Sequence, residues 1–122
     1  MSESKKTMAL GVSPDPSKRA YKVRQKLPAK GHTIRPVGIR EGMVDNTPII
    51  TTNTDPEQVH TVVIYLRAER QKSWISYILN SGPERIIFNP GAENEELIKK
   101  AKTKGIEILY ECTMLMLSSN RF

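Results

Sequence analysis

The sequence predicts an α/β protein built on an open, parallel, five-stranded sheet with helices on both faces, a three-layer arrangement. Three observations predict it. Short apolar runs rich in β-branched residues alternate along the chain with longer charged, periodic segments, the order of repeated β-α-β units. The apolar runs are continuous rather than alternating, which is the pattern of strands covered on both faces; Thr61-Val62-Val63-Ile64-Tyr65-Leu66 is the clearest. Turn residues gather directly behind these runs, at the strand ends where open α/β sheets hold their ligands.

The first strand is Thr7-Met8-Ala9-Leu10, bounded at once by Gly11 and then by Pro14, Asp15 and Pro16, which cannot continue a ladder or start a helix. Ser17 is a good N-cap, and the helix behind it runs to about Lys30 with Ala20, Val23 and Leu27 as its buried stripe. Pro28 is expected to kink or shorten its last turn, and Gly31 to stop it. His32 to Val37 reads as a second strand, which Pro36 confines to an edge unless it lies beyond the ladder; His32 itself reads as a plain turn residue. Residues 38–60 are irregular, with a short extra strand at Ile49-Ile50. Thr61–Leu66 is the third main strand. A single helix over Ala68–Ser81 follows, with Trp74, Ile75, Ile78 and Leu79 on one face and Gly82-Pro83 as its stop. Arg85–Phe88 is a strand ending in Asn89-Pro90-Gly91. Asn94 caps a helix with Glu95 and Glu96 in its first turn and Lys102 and Lys104 in its last, the polarity that complements the helix dipole. Ile106–Tyr110 is the fifth strand, and Cys112–Leu117 a short apolar helix over the sheet.

With 122 residues the chain is expected to make one domain, 7–122, behind a disordered tail at residues 1–6. No apolar run approaches the ~20 residues that span a bilayer, and Met-Ser-Glu-Ser-Lys-Lys leads into no secretory signal. One cysteine, Cys112, excludes an internal disulfide and suits a reducing compartment, so the expected location is cytoplasmic.

The charge is unevenly placed. Residues 1–30 hold eight Lys or Arg against Glu3 and Asp15, which equals the whole net charge of +6. Lys18 and Arg19 fall in the first helical turn, where each cation opposes the macrodipole at a cost of about 0.3 kcal/mol. A bound anion reverses that cost. Strand, glycine turn and helix N-terminus together form a phosphate site, with Gly11, Val12 and Ser13 offering backbone and Lys18 and Arg19 offering charge. A nucleic-acid reading of the basic pI is disfavoured, because the aromatics fall inside apolar runs and the cations cluster in one element.

The kind of phosphate ligand follows from what is missing. Of the three glycines in a G-x-G-x-x-G dinucleotide fingerprint only Gly11 is present, and the acid that would hold a ribose hydroxyl is replaced by Gly38-Ile39-Arg40. Arg40 suits a phosphorylated ribose, either NADP or coenzyme A, and the lost glycines speak against NADP. No P-loop lysine motif, H-E-x-x-H or paired cysteines are present, so phosphoryl transfer and zinc chemistry lack their parts. Both histidines sit at strand starts, away from the expected site, and no catalytic residue is assigned.

Several segments also carry a resemblance: Leu10-Gly11-Val12-Ser13-Pro14-Asp15-Pro16-Ser17, His32-Thr33-Ile34-Arg35-Pro36-Val37-Gly38, Ile86-Ile87-Phe88-Asn89-Pro90-Gly91-Ala92-Glu93-Asn94 and Glu111-Cys112-Thr113. Together they resemble the small stand-alone CoA-binding domain proteins, Rossmann-like relatives of the N-terminal domain of the succinyl-CoA ligase α subunit. The resemblance spans Thr7 to the end of the chain. It implies coenzyme A or an acyl-CoA across the sheet's carboxyl edge, with Gly11, Val12 and Ser13 at the diphosphate and Lys18, Arg19 and Tyr21 reaching phosphates. Gly38 and Arg40 would flank the adenosine end, Leu66 and Arg67 the nucleotide or pantetheine, and Asn89, Pro90 and Gly91 the far side of the crevice. Two departures stand out: Gly38-Ile39 replaces an Asn-Pro common after the second strand, and Pro28 lies in a helix usually free of proline.

Binding without turnover is the resulting expectation. An NADP-dependent oxidoreductase, or its nucleotide-binding module, is the alternative. Cys112, at a strand's carboxyl end, is read first as a small buried hydrophobe, with exchange onto the CoA thiol as its reactive possibility. Asn89 and Glu93 are placed to polarise a thioester, but a turn followed by a capped helix explains them more simply. No motif specifies an acyl group or a protein partner.

Overall fold

The computed structural model of the protein describes residues 4–12, 19–38, 41–44, 47–52 and 56–122, with Arg19 and Val44 described by their backbone alone. Thr7–Leu10 forms β1, Arg19–Ala29 α1 and Ile34–Val37 β2. A small antiparallel pair follows, β3 (Met43–Val44) with β4 (Thr47–Pro48). The chain continues through β5 (Thr61–Ile64), α2 (Ala68–Gln71), a 3-10 turn over Lys72–Trp74, and α3 (Ile75–Asn80). Then come β6 (Arg85–Phe88), α4 (Glu95–Thr103), β7 (Glu107–Tyr110) and α5 (Thr113–Ser118).

Five strands run parallel in the order β2-β1-β5-β6-β7. From β1 the chain crosses through α1 to β2, then returns past β1 to β5 and builds the other half, so strand order reverses between β1 and β5. The ladder is level. Ile34, Thr7, Thr61, Arg85 and Glu107 form its first row, and Val37, Leu10, Ile64, Phe88 and Tyr110 its last.

Two-residue periodicity divides the core between the faces. Met8, Leu10, Val62, Ile64, Ile86 and Phe88 pack with Trp74, Ile75, Ile78 and Leu97 from α3 and α4 and the turn before α3. Ala9, Val63 and Ile87 pack with Val23 and Leu27 of α1 and Met116 and Leu117 of α5. The sheet is therefore covered on both sides, as its continuous apolar strands require.

Pro36 lies inside β2, the edge strand. Its carbonyl accepts from the Ile50 amide, so the side of β2 on which Pro36 lacks a donor faces away from β1. Ile50 makes a single parallel bridge to Val37 rather than a strand. Pro28 stays within the last turn of α1, exposed, and the stripe of Ala20, Val23 and Leu27 is buried.

Two further expectations need correction. The helix expected over Ala68–Ser81 is broken by the 3-10 turn at Lys72–Trp74. Its first turn is fixed by hydrogen bonds of the buried Gln71 side chain, its later part by burial of Trp74, Ile75 and Ile78, and the turn joins the two. His32 is not a plain turn residue. It is 5% exposed, its Nδ1 accepts the Lys5 amide, and its ring lies 4.9 Å from that of Phe122.

Candidate functional site at the carboxyl edge

Beyond the level last row, the strand ends form a rim at the point where strand order reverses, the place where open α/β sheets bind ligands. The rim holds Gly38 after β2, Gly11 and Val12 after β1, Leu66 and Arg67 after β5, Asn89, Pro90 and Gly91 after β6, and Cys112 after β7. Tyr21 lies in the first turn of α1. Ser13, Lys18 and Arg40 lie outside the described residues, and Arg19 is described only as the first residue of α1.

Glycine is required here by close approach. Gly11 has φ +98°, and a Cβ on it would lie 2.9 Å from the Leu66 nitrogen. A Cβ on Gly38 would lie 2.4 Å from the Val12 carbonyl oxygen. The ends of β2, β1 and β5 thus meet backbone on backbone, with no side chain between them. In both places the glycine makes room for the protein's own backbone, so the strand ends close into a tight floor.

The amides are arranged differently from the sequence expectation. Gly11 and Val12 both donate to the Val37 carbonyl oxygen, at 2.7 and 3.0 Å. Those N–H groups hold β1 to β2 and are not turned toward a diphosphate. Only the amide of Ser13, outside the described residues, remains of the three expected donors. The physical reason is local: Gly11 in its left-handed conformation turns the chain back over the end of β2, where the Val37 carbonyl has no other partner in the ladder.

The far side of the rim is closed by carboxamides. Asn89 is buried; its Nδ2 donates to the Ile64 carbonyl at 3.0 Å, and its Oδ1 accepts the Thr113 amide at 2.8 Å. It ties the end of β5 to the start of α5. With both ends of the amide engaged, Asn89 shapes the crevice rather than facing into it. Pro90 and Gly91 are exposed, and the Gly91 amide donates to the Glu93 carboxylate at 3.2 Å. Glu93 therefore serves the turn, as the simpler reading expected. Arg67 is exposed at the head of α2. Tyr21 is half-buried, and the Arg24 guanidinium lies 3.8 Å from its ring centre. Cys112 is a half-buried free thiol that precedes α5 without capping it.

Two contributors escaped the sequence reading. Arg24 stacks on Tyr21 at i+3, a spacing visible in the sequence. Gln71 is fully buried, and its amide joins the loops on either side of the crevice. It stands three and four residues before Trp74 and Ile75, so a polar residue on an apolar stripe was the available signal.

Among the described residues no group of His, Cys, Asp and Glu is arranged to hold a metal, and no helix is long and apolar enough to cross a membrane.

Fold and rim together define a Rossmann-like α/β ligand-binding domain. The sequence of residues 5–118 matches the family described as CoA binding domain, and the chain belongs to that family. A crystal structure of an uncharacterized protein is 40% identical, with a TM-score of 0.93, covering 99% of this chain and all of the other. A hypothetical protein from Pyrococcus horikoshii OT3 is 21% identical, with a TM-score of 0.83 over 96% of this chain and 83% of its own. A Thermus thermophilus structure is 19% identical, with a TM-score of 0.80 over 97% and 91%. The last two show the fold alone. No curated protein matches the chain.

Proposed function

We propose that the protein binds coenzyme A or an acyl-CoA across the carboxyl edge of its sheet, without catalysis of its own. Membership of the CoA binding domain family over residues 5–118 carries the reading. The rim supports its place: the diphosphate lies at the turn after β1, over the floor made by Gly11 and Gly38, with Ser13, Lys18 and Arg19 as its donors and Tyr21 beside them. Gly38 and Arg40 take the adenosine end. The pantetheine arm runs the other way, past Leu66 and Arg67 toward Pro90 and Gly91, with Asn89 holding the strand ends beneath. Cys112 stands where the sheet ends on that side. When CoA disulfide is offered, its thiolate attacks one sulfur, forms a Cys112–CoA mixed disulfide and releases one CoA thiol.

Thermal unfolding with CoA, acetyl-CoA, NADPH and ATP in parallel tests the reading. A ligand that binds only the folded chain raises the midpoint, by about 2.7 kcal/mol of stability at a hundred times its Kd. CoA and acetyl-CoA are expected to raise it and NADPH to leave it unchanged; a rise with NADPH alone overturns the proposal in favour of a nicotinamide nucleotide. Intact mass after incubation with CoA disulfide checks the thiol step, which an unmodified mass overturns.

A further inference from the structure

Among the described residues Gln71 is the one fully buried carboxamide outside the strand ends and rim turns, and both of its polar atoms are engaged. Its Nε2 donates to the Leu66 carbonyl and to the Ala92 carbonyl, both at 2.7 Å. Its Oε1 accepts from Asn94 Nδ2 at 3.0 Å. The two carbonyls settle which end of the amide is nitrogen, since only –NH2 can serve both. Asn94 in turn accepts the Glu96 and Leu97 amides through Oδ1, at 3.1 and 3.4 Å, and so caps α4. One continuous relay therefore runs from the end of β5, through α2, to the loop after β6 and the head of α4.

That relay spans a gap that the sheet does not close. The β5–β6 ladder reaches the Asn89 amide, which donates to Ile64. Past it the two connections diverge, one into α2 and the other into the turn before α4. Among the described residues, no backbone hydrogen bond joins Leu66 to the segment 90–94. Beside the apolar packing of Leu66 and Ala92, these loops are bridged by one side chain with two short donor bonds and an acceptor bond, in a dry environment where unmade hydrogen bonds are costly.

We infer that Gln71 is a positioning residue that fixes the width of the crevice between the β5–α2 and β6–α4 loops, and with it the fit of the coenzyme's pantetheine arm. The inference rests on the proposed CoA binding. It separates the two halves of the ligand. The nucleotide end lies at β1 and β2, where Gly11, Val12 and Gly38 are held by backbone bonds to Val37 and Ile50 that do not involve Gln71. The arm lies where Gln71 supplies the hydrogen bonds between the two loops.

Gln71→Met keeps the volume and removes the three hydrogen bonds. Calorimetric titration with CoA and with adenosine 3′,5′-bisphosphate, which lacks the arm, reads the effect. CoA is expected to bind about tenfold more weakly and the bisphosphate within about twofold of the unaltered protein. Asn94→Ser retains a helix cap while removing the Nδ2 donor to Gln71, a milder break of the same relay that serves if Gln71→Met does not fold. Its expected loss is about threefold for CoA and none for the bisphosphate. Equal weakening of both ligands in the folded variants, or unchanged CoA affinity, overturns the inference. If the unaltered protein binds neither ligand, the proposed function itself fails, a result the variants do not enter.

Discussion

The two ends of the same five strands are held by different chemistry. At the carboxyl end the bonds that join neighbouring strand ends are neutral: Gly11 and Val12 amides on Val37, Gly38 flat against Val12, and the carboxamides of Asn89 and Gln71, with Arg24 on Tyr21, Glu93 on the Gly91 amide and the Glu111–Arg121 pair set around them. At the amino end they are charged and aromatic. The Phe122 ring lies 4.5 Å from the Arg85 guanidinium and 4.9 Å from the His32 ring, and Lys5 Nζ donates to its main-chain oxygen at 2.6 Å. Arg85 Nε donates to Thr61 Oγ1, while its buried Nη2 has no hydrogen-bond partner among the described residues. Burial pulls the Arg85 guanidinium below its ordinary pKa, against the attraction of Glu107. The outer border carries further ion pairs, of Glu57 with Lys6 and Arg35, and there Glu84 lies 3.3 Å from His60 Nε2. The difference is instructive. Among the described residues the carboxyl edge joins its strand ends through uncharged groups, whereas the other edge uses its cations on a ring and on carboxylates.

Three measurements would break or sharpen that contrast. The largest effect is expected for Phe122→Ala, which empties the ring's place among Lys5, His32 and Arg85; a loss of about 3 kcal/mol in denaturant unfolding is expected, with CoA affinity unchanged. A matching loss of CoA affinity would show that the two ends are coupled. Gly38→Ala forces a methyl into the Val12 carbonyl and is expected to cost about 2 kcal/mol. Here CoA affinity should fall as well, because the floor itself shifts; unchanged stability would show that the backbone contact is not close.

The smallest effect is a pH dependence confined to the amino end. His32 has its pKa lowered by burial first, then by Lys5, Arg85 and His60. The unfolded chain therefore takes up this proton more readily than the folded one. The stabilising contribution is complete above the ordinary value of about 6.5 and is lost as pH falls through it toward the lowered folded value. Protonation at Nδ1 would also set a donor against the Lys5 amide that now donates to it. Unfolding midpoints measured from about pH 7.5 down to about pH 5.5 should fall, and His32→Asn, which keeps an acceptor near that position, should flatten the slope. An equal slope in the variant would assign the pH dependence to other groups.

Much of the fold was legible because its signals are local. Continuous β-branched runs gave the five strands, each within one or two residues. The Asn94 cap with Glu95 and Glu96 gave α4, and Ala20, Val23 and Leu27 gave the buried stripe of α1. The break at Lys72–Trp74 was not legible, since it depends on where Gln71 finds its carbonyls, 5 and 21 residues away. His32 was misread for the same reason: its neighbours Lys5 and Phe122 lie 27 residues before it and at the end of the sequence.

At the rim, sequence brought out the right kinds of residue without their tasks. Gly11 stands out in any reading, but that its amide and that of Val12 would be spent on Val37 follows only from the turn it makes. Asn89 looked like a crevice residue and is a buried tie. The sequence by itself determined the sheet, its covered faces, the placing of the excess charge and the family, because apolar period, capping and turn chemistry act over a few residues. Which amides remain for a ligand, and how far apart the rim's loops stand, was decided by tertiary structure alone. Those properties belong to pairs of groups distant in the chain, and no window of sequence contains both members.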